Sequence, residues 1–106
     1  MSVTAKAKLP LTETVFYILL AFKKPTYGYI AIQLIEELSN GSVKIAAGTM
    51  YGALDTLVKQ ELIEQVPSDL ERRKMYVITH VGESLLKKEA ERMAACVSLF
   101  KKLEER

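Results

Sequence analysis

Residues 49–78 read TMYGALDTLVKQELIEQVPSDLERRKMYVI, and this stretch decides the fold. Residues 49–60 predict an amphipathic helix. Its inward stripe consists of Met50, Leu54, Leu57 and Val58. Residues 62–66 and 74–78 are strand-like, and a turn-rich connection joins them. A helix followed directly by an antiparallel hairpin predicts the second half of a winged helix-turn-helix.

Two shorter helices are predicted upstream of this stretch. Residues 13–22 form the first, because Thr12 can cap it and apolar residues recur at helical spacing. Residues 27–39 form the second. Its predicted inward face consists of Ile30, Leu34, Ile35 and Leu38. Residues 43–45 are β-branched at both ends and allow one brief strand before the third helix.

A long last helix is predicted after the hairpin. Thr79 is a good cap, and residues 80–106 would extend over about 40 Å at about 1.5 Å per residue. Steps of four and three residues give this helix an apolar seam, with the spacing of helix pairs. The seam consists of Leu86, Ala90, Met93, Val97 and Phe100. Because the helix outruns the domain that it would cover, the seam predicts pairing with a second copy of the chain.

The predicted fold is therefore mainly α with a small β-hairpin. Residues 1–79 are expected to form a winged helix-turn-helix domain, and residues 80–106 a C-terminal dimerisation helix. With 106 residues, a two-domain enzyme is excluded. No apolar run approaches the roughly 20 residues that a membrane span needs, so no membrane partner is expected.

Charge and reactive residues narrow the function classes further. The net charge of +2 is too small to indicate nucleic-acid binding by itself, so such binding would depend on where the cations lie. The single cysteine, Cys96, excludes an internal disulfide and suits a reducing cytoplasm. With one histidine, His80, and no phosphate-binding loop, neither an enzyme nor a cofactor or metal site is expected.

The predicted winged helix-turn-helix places the third helix in the major groove of DNA and the hairpin on the flanking backbone. Gly52 and Ala53 leave the exposed side of that helix uncrowded, as the groove requires. The start of the second helix would attract a phosphate. The predicted DNA-binding residues are Tyr27, Thr49, Tyr51, Thr56, Lys59, Arg72, Arg73 and Lys74. Tyr17 and Tyr29 are assigned mainly to the core.

Each of these features has a plainer interpretation. The third helix would also fit an ordinary amphipathic helix with a polar face, and Asp69 and Glu71 would also fit as ion-pair partners of the basic run. The last helix would also fit a position wholly on its own domain. The small net charge keeps open a second function, a winged-helix protein-protein interaction module without DNA binding.

Several short motifs occur along the chain in a fixed order. They are Leu11-Thr12-Glu13, Lys24-Pro25-Thr26-Tyr27-Gly28-Tyr29, Gly48-Thr49-Met50-Tyr51-Gly52-Ala53-Leu54, Leu62-Ile63-Glu64 and Arg72-Arg73-Lys74-Met75-Tyr76-Val77-Ile78-Thr79, ending at Gly82. Together they resemble the PadR family of bacterial transcriptional regulators. The resemblance spans nearly the whole chain.

The resemblance implies a homodimeric repressor that binds a pseudo-palindromic operator in double-stranded DNA and releases it when a ligand binds. The single C-terminal helix is similar to the short subgroup of the family, in which that helix alone makes the dimer. Some short members hold flat aromatic compounds between the subunits, whereas this chain has no Trp to stack on one. The expected effector is a small apolar molecule at the dimer interface, in a pocket lined by Phe16, Met93, Val97 and Phe100.

Overall fold

The structure, a computed structural model, describes residues 8–70 and 72–105. The elements follow in the order α1 (Glu13–Ala21), β1 (Thr26–Tyr27), α2 (Gly28–Leu38), α3 (Ala47–Lys59), β2 (Ile63–Val66), β3 (Met75–Ile78) and α4 (His80–Glu104). We call residues 63–78, which form the β2–β3 hairpin and its connection, the wing. The predicted domains 1–79 and 80–106 also include residues 1–7, 71 and 106, which lie outside the described part.

The first and last helices begin at the predicted caps. Thr12 Oγ1 accepts a hydrogen bond from Val15 N at 3.1 Å, and Thr79 Oγ1 accepts one from Gly82 N at 3.0 Å. The Thr79 hydroxyl also donates to the carbonyl oxygen of Glu61 at 2.7 Å, which ties the start of α4 to the end of α3. Both caps confirm the sequence prediction.

The core lies where α1, α2 and α3 meet the sheet. Its fully buried members include Ile18, Leu19, Phe22, Ile35, Met50, Leu54 and Leu57. Tyr76 on β3 joins them, with its ring edge-on to Phe22 at a centroid distance of 6.1 Å. Burial of each large apolar side chain contributes about 1.5–3 kcal/mol, so this cluster holds the three helices against the sheet.

The sheet has the strand order β1-β3-β2 and is antiparallel throughout. The predicted hairpin is confirmed, with Ile63 opposite Ile78 and Val66 opposite Met75. The third strand, β1, was not predicted. It pairs Thr26 with Tyr76, so it joins segments about fifty residues apart and leaves no local pattern in two residues.

The brief strand predicted at residues 43–45 is wrong. Val43 and Ile45 are buried, but the segment between α2 and α3 is irregular in the described structure. Its backbone is held locally instead, since Val43 N donates to Ser39 Oγ at 2.9 Å. Strand β3 is paired with β1 on one edge and with β2 on the other, so it has no edge left for this segment. The apolar residues of this segment therefore fill the core without joining the sheet.

Two predicted helix faces need correction. On α2, Ile30 and Leu38 are exposed, Leu38 by 54 %, and the buried residues are Gly28, Ala31 and Ile35. On α3, Met50, Leu54 and Leu57 are buried as predicted, whereas Val58 is exposed. The hydrophobic pattern wrongly placed Ile30 and Leu38 inside, whereas the buried face of α2 combines Ile35, which was predicted, with the small residues Gly28 and Ala31.

The first turns of α4 pack on the domain and the rest project from it. Leu86, predicted to belong to the seam between two copies, is 5 % exposed and lies in the core of its own chain, which leaves it little surface for a second subunit. From Ala90 onward the helix is mostly exposed, and Met93 is partly buried. The principal extents of 58 × 40 × 21 Å reflect this projection.

An ion pair in α4 marks the end of the packed part of the helix. Glu89 is 1 % exposed, and its two carboxylate oxygens accept hydrogen bonds from Arg92 Nε and Nη2 at 2.8 Å each. The hydrogen bonds from Arg92 hold the pKa of the Glu89 carboxyl below its usual value despite burial, and the Leu11 backbone adds to this effect. The contact of Glu89 with the Leu11 backbone therefore holds α4 beside the segment that leads into α1.

Candidate nucleic-acid interface

One cleft of about 500 Å³ joins the start of α2, the middle of α3 and the wing. We call it the wing cleft. It is lined by Tyr27, Gly28, Tyr29, Tyr51, Asp55, Arg72, Arg73, Lys74 and Tyr76. Five of the eight predicted DNA-binding residues thus lie together, although they come from three separate segments.

Aromatic stacking ties the wing to the start of α2. The guanidinium carbon of Arg73 lies 4.3 Å from the centroid of the Tyr29 ring, and the Tyr29 ring stacks on that of Tyr27 at 5.9 Å. Ser68 Oγ donates a hydrogen bond to the Tyr27 hydroxyl oxygen at 3.2 Å. A cation over an aromatic face is attracted by the ring quadrupole, so these contacts fix the position of the wing.

Tyr51 connects α3 to the same place. Its ring lies over Gly28 so closely that a Cβ at position 28 would be 2.7 Å from Tyr51 Cε1. Glycine is therefore required at the first position of α2 for this ring orientation. Tyr51 remains 44 % exposed, which leaves part of the ring open to a partner.

Asp55 and Tyr76 also line the wing cleft. Burial raises the pKa of the Tyr76 phenol, and the nearby Asp55 carboxylate and Tyr51 raise it further. Tyr76 is accordingly neutral around neutral pH. Arg72, Arg73 and Lys74 are all exposed beside it, so the wing contributes three cations to a surface that also holds four tyrosines and the Asp55 carboxylate.

The remaining predicted DNA-binding residues, Thr49, Thr56 and Lys59, lie outside the wing cleft on exposed positions of α3. The Thr56 hydroxyl donates to the carbonyl oxygen of Gly52 at 3.2 Å, so its proton is used within the helix and its oxygen stays available as an acceptor. Gly48 and Gly52 are exposed one turn apart. A Cβ at either would meet no described atom within 4 Å.

Helices α2 and α3 also present backbone donors at their starts. Tyr27 and Ala46 occupy the cap positions, and neither makes a side-chain capping hydrogen bond within the described residues. The first N–H groups of a helix lack intrahelical partners and carry the positive end of the helix dipole. Both starts are therefore suited to an anion such as a phosphate.

Besides Gly28, three lining residues of the wing cleft were not among the predicted DNA-binding residues. Tyr29 was assigned mainly to the core but is partly exposed under Arg73. Asp55 lies four residues after Tyr51, a helical spacing that places both on one face, and this signal was available in the sequence. Tyr76 carries no comparable signal, because an inward position on β3 is ordinary for a tyrosine.

Asp69 and Glu71 were considered as ion-pair partners of the basic run, and only Asp69 belongs to the described residues. Asp69 makes no salt bridge with any described residue, whereas Glu71 lies outside the described part. Within that part the salt bridges are Lys23 with Glu83, at 3.6 Å, and Glu89 with Arg92. Arg72, Arg73 and Lys74 thus form no salt bridge with another described side chain.

The residues predicted for pairing and for an effector lie elsewhere. Val97 and Phe100 are 52 % and 63 % exposed on the projecting part of α4. Met93 is partly buried on the same helix, and Phe16 is partly buried on α1 with its ring edge-on to Tyr17 at 6.2 Å. None of these four residues lines the wing cleft.

Two other features, a membrane-spanning helix and a metal site, are not found among the described residues. None of their helices is both long and apolar enough to cross a membrane. Their His, Cys, Asp and Glu side chains form no group of three or more that would hold a metal ion. Cys96 is exposed, and Arg92 Nη1 approaches its Sγ to 3.8 Å.

Three packed helices, a three-stranded sheet and a cationic wing beside the third helix define a winged helix-turn-helix protein. The chain belongs to the PadR-like family of transcriptional regulators, whose family model matches residues 16–88. This confirms the resemblance that its motifs indicated. It is a family of regulators rather than of enzymes.

The chain is similar to a curated protein and to several solved structures. It is 36 % identical over 70 residues to an uncharacterized protein of Lysinibacillus sphaericus, and the match covers 63 % of this chain and 64 % of that protein, less than two thirds of its length. A PadR family regulator from Eggerthella lenta matches with a TM-score of 0.65 and 28 % identity, over 88 % of this chain and 83 % of that one.

Two further structures share the fold. RosR of H. salinarum matches with a TM-score of 0.68 and 25 % identity, over 82 % of this chain and 77 % of that one. A transcriptional regulator from Clostridium thermocellum matches with a TM-score of 0.69 and 24 % identity, over 83 % and 85 %. These matches confirm the winged-helix fold with its long C-terminal helix.

Proposed function

We propose that this protein is a sequence-specific DNA-binding repressor that binds a pseudo-palindromic operator as a homodimer. The observation that carries the proposal is the wing cleft, where the start of α2, the exposed face of α3 and three wing cations meet. Membership of a family of transcriptional regulators supports the same conclusion. A dimer seated on promoter DNA in the cytoplasm would repress by excluding the polymerase from it.

In this proposal α3 enters the major groove. Gly48 and Gly52 leave its outer backbone bare, and at Gly52, in the helix interior, glycine is less stable than alanine by roughly 0.5–1 kcal/mol. No described atom requires their small size, so close approach of an external surface explains them better than packing does. Thr49, Thr56 and Lys59 flank the glycines and would contact base edges and phosphates.

The wing and the start of α2 would hold the DNA backbone. Arg72, Arg73 and Lys74 are exposed cations on a wing that stacking fixes in position. Each phosphate that they neutralise releases condensed counterions, which supplies most of the affinity at low salt. Tyr27 stands at the uncapped start of α2 and would contact a phosphate together with the free backbone N–H groups.

The proposed dimer forms through the projecting part of α4. Ala90, Val97 and Phe100 are exposed there, and Leu99 and Leu103 form a second apolar edge on the same helix. Symmetric pairing is the commonest way to cover such a surface. It also doubles the small net charge of +2 and presents two copies of α3, as a pseudo-palindromic operator requires.

We further propose that a small apolar effector binds at the dimer interface and releases the DNA. Phe16, Met93, Val97 and Phe100 are the predicted lining residues, and α1 and α4 pack against each other in one subunit. A ligand held between the two α4 helices would change their separation and hence the spacing of the two α3 helices. Titration of purified dimer–DNA complex with flat apolar compounds tests this step.

Electrophoretic mobility shift with the promoter of its own gene tests the proposed function. We expect a shifted complex that disappears as the salt concentration is raised. An unrelated duplex of the same length is the control for specificity. Absence of binding to promoter DNA and to every duplex of a random pool would contradict the proposal and favour the protein-interaction module instead.

A further inference from the structure

We propose that Asp55 selects a cytosine in each half of the operator by accepting a hydrogen bond from the N4 amino group of that base. The inference rests on the proposed DNA-binding function. It goes further by assigning one base to one side chain.

Asp55 lies on the side of α3 that would face DNA under the proposed function. It is exposed, follows Tyr51 by four residues and lines the wing cleft together with Arg72, Arg73 and Lys74. It is the one acidic residue of α3, which reads AGTMYGALDTLVK. A carboxylate thus stands among the cations that would hold the DNA backbone.

Asp55 lies near enough to Tyr76 to raise the pKa of the phenol, but no described side chain pairs with its carboxylate. Within residues 8–70 and 72–105 Asp55 makes no salt bridge or side-chain hydrogen bond, and Lys59, one turn away, is not paired with it. It occupies the ninth of thirteen positions of α3, in the C-terminal half, where the helix dipole does not favour negative charge. Aspartate is also a poorer helix former than alanine.

Electrostatics leave few DNA groups that would bind Asp55. Phosphates repel a carboxylate, so Asp55 lowers affinity for every duplex alike. In the major groove the hydrogen-bond donors are the amino groups at cytosine N4 and adenine N6. Adenine places the acceptor N7 beside its amino group, which repels the second carboxylate oxygen, whereas cytosine has no acceptor on that side. Cytosine is therefore the base whose hydrogen bond offsets the repulsion between Asp55 and the phosphates. Asp55 would thus increase specificity while it lowers the overall affinity.

Selection of bound duplexes from a random pool tests the inference. The proteins compared are the full-length wild type, Asp55→Ala, Asp55→Asn and the control Glu37→Ala, which removes an exposed carboxylate from α2 outside the wing cleft. Thermal unfolding of each variant checks that the fold is retained. The asparagine variant keeps the size of the side chain while it removes the charge.

We expect the wild type and Glu37→Ala to select cytosine at one position of each half-site. Asp55→Ala should lose about tenfold discrimination at that position alone and bind unrelated duplexes more tightly. Asp55→Asn should shift the preference to adenine, because asparagine pairs with N6 and N7 of that base.

Two outcomes would overturn the inference while leaving the proposed function intact. In one, Asp55→Ala and Asp55→Asn select the wild-type sequence unchanged. In the other, both lose selectivity at all positions equally, which would make Asp55 a support of the wing cleft rather than a reader of one base. A wild type that enriches no sequence would overturn the proposed function together with this inference.

Discussion

The guanidinium of Arg73 lies over the ring of Tyr29, at 4.3 Å from its centroid, so the wing and the start of α2 form one surface within a single subunit. The β1–β3 pairing and the hydrogen bond from Ser68 to Tyr27 link the same two segments. A wing that is already in place loses less conformational entropy when it binds DNA than a free hairpin would. The wing and the start of α2 are therefore already arranged as one surface before DNA binds.

Replacement of Tyr29 tests whether stacking holds the wing. Tyr29→Leu removes the aromatic ring and should weaken DNA binding by about two- to fivefold, since an exposed cation–π contact contributes about 0.5–1 kcal/mol. Tyr29→Phe keeps the ring and serves as the control with unchanged affinity. Fluorescence anisotropy with labelled operator DNA measures both. Equal affinities of the leucine and phenylalanine variants would show that the stacking contact does not matter for binding.

Gly52→Ala should separate stability from function. The added methyl meets no described atom within 4 Å, so the free energy of unfolding should rise, by up to about 1 kcal/mol. DNA affinity should fall, because the methyl would stand between α3 and the groove. Urea unfolding and anisotropy measure the two quantities.

Gly28→Ala provides the contrast for the stability measurement alone, because it would also displace Tyr51 in the wing cleft. Its Cβ would lie 2.7 Å from Tyr51 Cε1, so this variant should lose stability. A Gly52→Ala protein that binds DNA as tightly as the wild type would refute close approach at α3.

Glu89 should make stability depend on pH. Arg92 lowers the pKa of the folded-state carboxyl below its ordinary value of 4.5, so the ionised pair stabilises the fold above that value. The contribution is lost as the pH falls through the lower, folded-state pKa. Glu89→Gln should therefore be less stable than the wild type near neutral pH, and the difference should shrink in acid.

Urea unfolding across the acid range measures this effect. Glu91→Gln, which changes an exposed carboxylate two residues away, should show no such pH-dependent difference. A Glu89→Gln protein whose deficit is the same at neutral and acid pH would contradict the role of the ion pair.

Phe100→Asp should dissociate the proposed dimer. The side chain is 63 % exposed on one subunit, so the domain should stay folded while a charge enters the seam. Sedimentation equilibrium at micromolar concentration should give twice 11.9 kDa for the wild type and about 11.9 kDa for the variant. Ser98→Asp, on an exposed neighbouring position, is the control. A wild-type mass near 11.9 kDa would refute the seam.

Local signals explain which parts of the fold were predictable. Thr12 and Thr79 were identified as caps, and the hairpin was located, because caps and strand-turn-strand patterns depend on neighbouring residues. The strand β1 was not predicted, since its partner lies in β3. The buried face of α2 was misassigned because packing selected Gly28 and Ala31 over bulkier residues.

The candidate site was predictable in part for the same reason. Arg72 and Arg73 belong to a run of consecutive basic residues, which is a local signal. Because the hairpin directly follows the third helix, this run is expected beside α3. Tyr29 joins the site because the wing folds against it, which no local pattern indicates, whereas the helical spacing of Asp55 to Tyr51 already placed both on one face. The start of α2, α3 and the wing meet only in the folded chain, so no single sequence motif predicts that they form one site.

The salt dependence of DNA binding tests the central claim most directly. The dissociation constant for a selected duplex would be measured against salt concentration for the wild type and for Arg72→Ala/Arg73→Ala, with Lys101→Ala/Lys102→Ala at the end of α4 as the control. We expect specific binding whose log–log slope falls by about two per subunit in the wing variant and is unchanged in the control. A wild type that binds no duplex, or a wing variant with the affinity and slope of the wild type, would contradict the account.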